Sequence, residues 1–386
     1  MNAIQRFYIA INKGIPDRIP VVPKIWVDLA ANLTGTSLYD VIKSPETALR
    51  VIIEAGIMLE LDAVRQFHFP ERKIEVQDDK VYEIRDGRRI GKIDMKGGLI
   101  THLDNTVDYH LEDPYTMAHY HFWAAKSPII NKVEDVKRIA VPNKKFLKEI
   151  GWELRQKKMM KLAGDRMVLI GDCSSATLAF YECLRGMNAT MFDLIEEPKL
   201  VYTAMEKGAE IAIEKGKFNI DIGLKVLRLN DSIANMSVIS PQHFREFVKP
   251  HMKIVCDELH HYDPKVRIYC HICGNVLPII EDLVDIGLDC IAPLDPLGGF
   301  TCQQARKHVG EKVSLMGGVN TLSFINNTCD EIIKEARICM TGAGKKGGFI
   351  LGSGCVIPRS AKKENIEALV VAAKKYGVYQ NGVLCS

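Results

Sequence analysis

The chain has 386 residues, 47% of them hydrophobic, with 51 lysines and arginines against 48 aspartates and glutamates, a formal net charge of +3. That charge is small and scattered, so no nucleic-acid partner and no membrane-binding basic face is expected, and Lys144-Lys145 and Lys157-Lys158 read as solvated helix surface. No apolar run is long enough to span a bilayer, no leader is recognisable, and eleven cysteines without regular spacing suggest reduced thiols, so a cytoplasmic protein is expected.

Short apolar, β-branched runs recur at 19–22, 62–67, 167–171, 224–229, 266–270, 289–292, 312–316 and 348–351. Helical patterns follow most of them, for example 241–260 and 276–286. Strands alternating with helices in this way predict an α/β fold, a parallel (β/α)8 TIM barrel forming one domain over 1–386. The alternation breaks after the second run. There, 80–94 alternates apolar and polar residues around Asp86-Gly87, a hairpin signal, and 114–142 adds further chain. An insertion over roughly 72–150 is therefore expected to cover part of the barrel mouth, the alternative being a surface decoration.

The carboxyl ends of barrel strands form the catalytic face. Those ends carry His68, Asp172-Cys173, Asn230-Asp231, His271 with Cys273, Asp295, Gly317-Gly318 and Cys355. His271 and Cys273 stand two residues apart, so in an extended backbone both leave by one face while Cys270 points away. With Cys355 they offer one imidazole and two thiolates, a zinc-type donor set that leaves a coordination position free. Other readings stay open: cysteines packed as small hydrophobes, a redox pair Cys270/Cys273, or a closed zinc site completed by Cys270 or Cys173. Asp231 is a candidate for orienting substrate or handling a proton, or a carboxylate satisfied by backbone amides. Asn230 and His68 are candidate substrate-binding groups, with a structural role the alternative for His68 between two aromatics. The glycines from Gly347 to Gly354 suit a phosphate cradle or tight packing equally, and Gly317-Gly318-Val319-Asn320 reads as a turn.

The chain resembles the uroporphyrinogen decarboxylase superfamily, and within it the zinc-dependent corrinoid methyltransferases. The resemblance runs through Gly14-Ile15-Pro16-Asp17-Arg18-Ile19-Pro20, Leu184-Arg185-Gly186, Ser240-Pro241, Phe244 to Pro250, His271-Ile272-Cys273-Gly274, Gly354-Cys355-Val356-Ile357-Pro358 and Glu364-Asn365. It implies zinc on His271, Cys273 and Cys355, and a corrinoid (cobalamin) supplied by a partner corrinoid-binding protein. Two departures stand out. An Arg-rich amino-terminal substrate loop is missing, which argues against porphyrinogen decarboxylation, and Asn230-Asp231-Ser232 replaces a paired-acid motif.

The expected activity is methyl transfer from a small methylated substrate, a methoxylated aromatic being favoured by the long insertion, to cob(I)alamin of the corrinoid protein. The alternatives are transfer from the methylated corrinoid to a thiol of the coenzyme M type, which a two-thiolate zinc suits, and a metal-free decarboxylase-like lyase. A second copy of the chain, as a homodimer, is a further candidate partner.

Overall fold

A computed structural model describes residues 1–385. The regular strands of the barrel wall begin with β1 (Ala63–Gln66). They are interrupted by an inserted sheet of five strands: β2 (Lys73–Gln77), β3 (Lys80–Arg85), β4 (Arg88–Ile93), β5 (Thr101–Leu103) and β6 (Trp123–Ala124). The wall then resumes with β7 (Val168–Asp172), β8 (Val226–Asn230), β9 (Arg267–His271), β10 (Cys290–Leu294), β11 (Ser314–Val319) and β12 (Phe349–Ser353). These seven wall strands pair in parallel, in the order β1-β7-β8-β9-β10-β11-β12, with helices between them.

The segment from Pro20 to Lys24 fills the eighth place. On one side Leu351 N–H donates to Pro20 O at 2.9 Å and Val22 N–H to Leu351 O at 2.7 Å; on the other Asp62 N–H donates to Val21 O at 3.0 Å. Two prolines, Pro20 and Pro23, remove ladder donors, which is why this edge is held by isolated bridges rather than a regular strand. Asp62 supplies what the ladder lacks. Its carboxylate accepts Val21 N–H at 2.7 Å and pairs with Arg6 at 2.7 Å and Arg18 at 3.0 Å.

Inward positions recur every second residue and fill the barrel in layers. The lower layer is apolar: Val22, Ala63, Ile170, Val226, Tyr269, Ala292, Met316 and Ile350, capped from below by Phe7, Ala10 and Ile11 of the helix Ala3–Ile11. Two residues further up, the same faces carry Lys24, Arg65, Asp172, Arg228 and His271, all buried. Cys270 falls on the opposite face, in the core between strands and helices, as its position in β9 requires.

The insertion is larger than the predicted hairpin. Its β2, β3, β4 and β5 are antiparallel neighbours, joined by left-handed turns at Asp78-Asp79 (φ 48° and 58°) and Asp86-Gly87 (φ 51° and 77°). Two further differences have local causes. The expected helix 241–260 is broken by a wide turn at Phe244–Val248, where Pro250 cannot donate to the preceding turn. Gly317-Gly318-Val319 is strand rather than turn. A Cβ at Gly317, where φ is +134°, would stand 2.6 Å from Leu294 N, so glycine is what lets β11 approach β10 this closely.

Candidate metal centre and cavity

His271 ends β9, Cys273 follows it in the loop, and Cys355 lies two residues beyond β12. One nitrogen and two sulfurs from these residues lie within 4.8 Å of one another, with His271 Nε2 3.7 Å from Cys355 Sγ. The loop that carries Cys273 is pinned. Asp295, at the end of β10, accepts Gly274 N–H at 2.9 Å and Leu297 N–H at 3.0 Å, while Gly274 adopts φ +86°. On the other strand, Ser353 Oγ donates to Cys355 O at 2.6 Å and accepts Lys24 N–H at 2.9 Å. Three wall elements are thereby tied around one point.

The electrostatics favour one thiolate and one thiol, a pair that a bound soft cation would convert to two thiolates. The Cys273 thiol donates to Cys355, which pulls Cys355 down to about 6, helped by Lys24, and pushes Cys273 up. Burial, then Lys24, Arg228 and Arg65, hold His271 well below the usual imidazole range, so it is neutral and able to ligate. Lys24 Nζ stands 3.0 Å from His271 Nε2, and Arg65 donates to Tyr269 Oη at 2.7 Å. Lys24, Arg65 and Arg228 share the polar layer with one carboxylate, Asp172, held by Arg228 at 2.6 Å, and burial followed by the Arg228 charge pushes Lys24 well below the usual ammonium range. Buried cations without counter-charge are costly, and two thiolates at Cys273 and Cys355 would offset them. The residues present therefore fit a soft divalent ion such as zinc.

Beside Lys24 opens a cavity of about 530 Å³, lined among others by Trp26, Asp28, Phe67, Asp172, Ser174, Ala179, Glu182, Arg228, Asn230, Val356 and Arg359. The insertion contributes Lys96, Gly98 and His121 to its wall. Trp26 and Phe67 meet edge to face, ring centroids 4.6 Å apart, and the Arg228 guanidinium lies over the Phe67 ring at 5.3 Å.

Of the remaining sequence candidates, Asn230 lines this cavity, accepting from Arg228 and donating to Ser175 Oγ at 3.4 Å. Asp231 does not face it. Its carboxylate is 0% exposed and accepts Leu178 N–H at 3.0 Å and Ala179 N–H at 2.8 Å, the first amides of the helix Leu178–Arg185, while its own N–H donates to His271 O at 3.0 Å. Burial pushes its carboxyl up to about 7 against the pull of the two amides. His68 is also 0% exposed, its ring 4.6 Å from Trp152 and 6.4 Å from Phe218, with burial holding it neutral. The glycines within and just after β12 are packing positions: a Cβ at Gly352 would meet Val22 O at 2.9 Å, and one at Gly354 the Pro296 ring at 2.7 Å. Sequence reasoning missed Lys24 and Arg228. Two-residue spacing from Val22 and Val226 was the signal that placed them in the barrel.

Residues 123–376 match the model of the family described as uroporphyrinogen decarboxylase (URO-D). The chain belongs to the uroporphyrinogen decarboxylase family. Among its curated relatives, the methylcobamide:CoM methyltransferase MtaA of Methanosarcina barkeri is 26% identical over 183 residues, 47% of this chain and 51% of that protein. A methylated-thiol–coenzyme M methyltransferase of Methanosarcina mazei is 25% identical over 46% of each chain, and a uroporphyrinogen decarboxylase of Prochlorococcus marinus 29% identical over 52% of this chain and 56% of that one. The chain thus spans about half the length of the curated relatives it matches. A methyltransferase structure from Methanosarcina mazei shares the fold across 97% of this chain and 99% of its own, with a TM-score of 0.69 and 18% identity. That likeness agrees with the (β/α)8 barrel. No helix among the described residues of this family member is long and apolar enough to cross a membrane.

Proposed function

We propose that the protein is a corrinoid methyltransferase, in which a methyl group moves between the cobalt of a partner's corrinoid and the sulfur of a small thiol at a zinc ion held by His271, Cys273 and Cys355. The observation that carries this reading is the convergence of one neutral imidazole and two thiols within 4.8 Å beside the cavity. The names of two relatives, a methylcobamide:CoM and a methylated-thiol–coenzyme M methyltransferase, support both the corrinoid and the sulfur. Zinc bound there would supply Lewis acidity, favouring thiolate over thiol, and its two sulfur ligands suit a soft third sulfur.

The chain's own residues do the rest. Arg228 puts fixed positive charge on the cavity wall, with the buried Lys24 amine beside it, in an interior where screening by water is weak. Asp172 clamps Arg228, and Arg228 in turn orients Asn230 on the cavity wall. Asp231 acts as a positioning residue. It fixes the start of the helix that brings Ala179, Glu182 and Cys183 to the cavity and ties that helix to the backbone of His271.

A second reading, O-demethylation of a methoxylated aromatic with transfer of methyl to cob(I)alamin, is favoured by one observation: Trp26 and Phe67 give the cavity an aromatic wall. One experiment separates them. With zinc-loaded protein, visible spectra should record loss of methylcobalamin in the presence of a small thiol such as 2-mercaptoethanesulfonate. Methylation of cob(I)alamin from methoxybenzoates, with no reaction of the thiol, would replace the first reading by the second.

A further inference from the structure

A second cavity, of about 370 Å³, lies outside the metal centre, against the ends of β10 and β11, lined in part by Leu294, Phe300, Cys302, Gly318, Cys339 and Lys345. Two cysteines with no part in the metal site meet on its wall. Cys302 is the first residue of the helix Cys302–Val309, directly after the capping Thr301, and Cys339 comes from the helix Cys329–Ala343. Each is only 6% exposed, so the cavity is the way in. The Cys302 and Cys339 sulfurs both point at Gly318. Gly318 lets them meet: at φ +117° a Cβ would stand 2.5 Å from Cys302 Sγ and 2.8 Å from Cys339 Sγ, so no side chain fits there.

Here one thiol is the first residue of a helix, a second converges with it on the point that a Gly318 Cβ would occupy, and a cavity opens on both. The exposed Lys345 adds a cation at the cavity's edge, Glu335 a carboxylate and Thr341 a hydroxyl.

We propose that Cys302 and Cys339 form a thiol–disulfide exchange site, taking a low-molecular-weight disulfide into this cavity. In the first step the Cys302 thiolate attacks one sulfur of the small disulfide. That S–S bond breaks, a mixed disulfide forms on Cys302, and the first small thiolate leaves, taking up the proton that Cys302 released. In the second, Cys339 gives up its proton and its thiolate attacks Cys302 Sγ; the Cys302–Cys339 bond forms and the second small thiolate leaves with that proton. Two electrons pass from the pair to the small disulfide, which ends as two thiols. Nothing here depends on what the metal centre does.

The test uses zinc-loaded full-length protein incubated with oxidised glutathione, quenched in acid, digested and mapped by mass spectrometry. A peptide linking Cys302 to Cys339 is expected in the wild type. Cys339→Ser should stop at glutathione trapped on Cys302, and Cys302→Ser should leave Cys339 as a free thiol; alanine replaces serine where a serine variant does not fold. The proposal is overturned if Cys302 and Cys339 stay reduced in wild-type protein, or if Cys339→Ser leaves Cys302 unmodified under conditions where the wild type forms the link.

Discussion

Replacing Asp231 by Ala tests whether this carboxylate builds the site or works in it. The substitution strips the acceptor from two buried amides, Leu178 N–H and Ala179 N–H, at the start of the helix Leu178–Arg185. A lost cap costs about 1–2 kcal/mol, and a buried donor left without a partner about 1–3 kcal/mol; because both figures describe the same two bonds, about 3 kcal/mol is the expected total. Unfolding entropy near 2.1 cal/mol/K per residue makes that a fall of about 4 °C in Tm for a chain of this length. Asp231→Asn keeps one carbonyl oxygen for one of the amides, so it should lose about half as much. Calorimetry at pH 8, where a carboxyl pushed up to about 7 is ionised, measures the shift, with zinc content and kcat determined on the same samples. An unchanged Tm in Asp231→Ala would refute the capping role. Equally, an Asp231→Asn protein with wild-type Tm and full zinc but a kcat down 100-fold or more would mean that the carboxylate acts on substrate.

Cys355→Ala should lose the metal, since two remaining ligands do not hold zinc against a chelator, and elemental analysis after dialysis reads this directly. Asp62→Asn should destabilise the protein by about 3 kcal/mol, because Arg6 and Arg18 lose their buried counter-charge at the closure of the barrel; denaturant unfolding checks it. Lys215 is fully buried, and burial lowers it to about 8, so the folded state gives up its proton sooner than the unfolded chain, whose lysines titrate near 10.4. Stability should therefore rise with pH between about 8 and about 10.4, and Lys215→Met should flatten that slope in melting curves collected across the window.

Much of this molecule is written in its periodicity. Runs of β-branched residues recurring between helical patterns specify the wall strands, and the two-residue spacing of His271 and Cys273 puts both side chains at one strand end because strand side chains alternate. The hairpin at Asp86-Gly87 was legible for the same local reason: only residues tolerant of left-handed backbone suit its turn. Proximity across the barrel is not local, and there the sequence is silent. That Lys24 stands against His271, 247 positions away, follows from barrel closure, which brings the first wall segment beside β12. Whether Asp231 met substrate or backbone amides stayed open until the fold set a helix N-terminus against it, and Gly317-Gly318 looked like a turn until β10 pressed close enough to leave no space for a side chain. Which side chain faces which element depends on how the layers pack, and packing is decided by the whole chain at once.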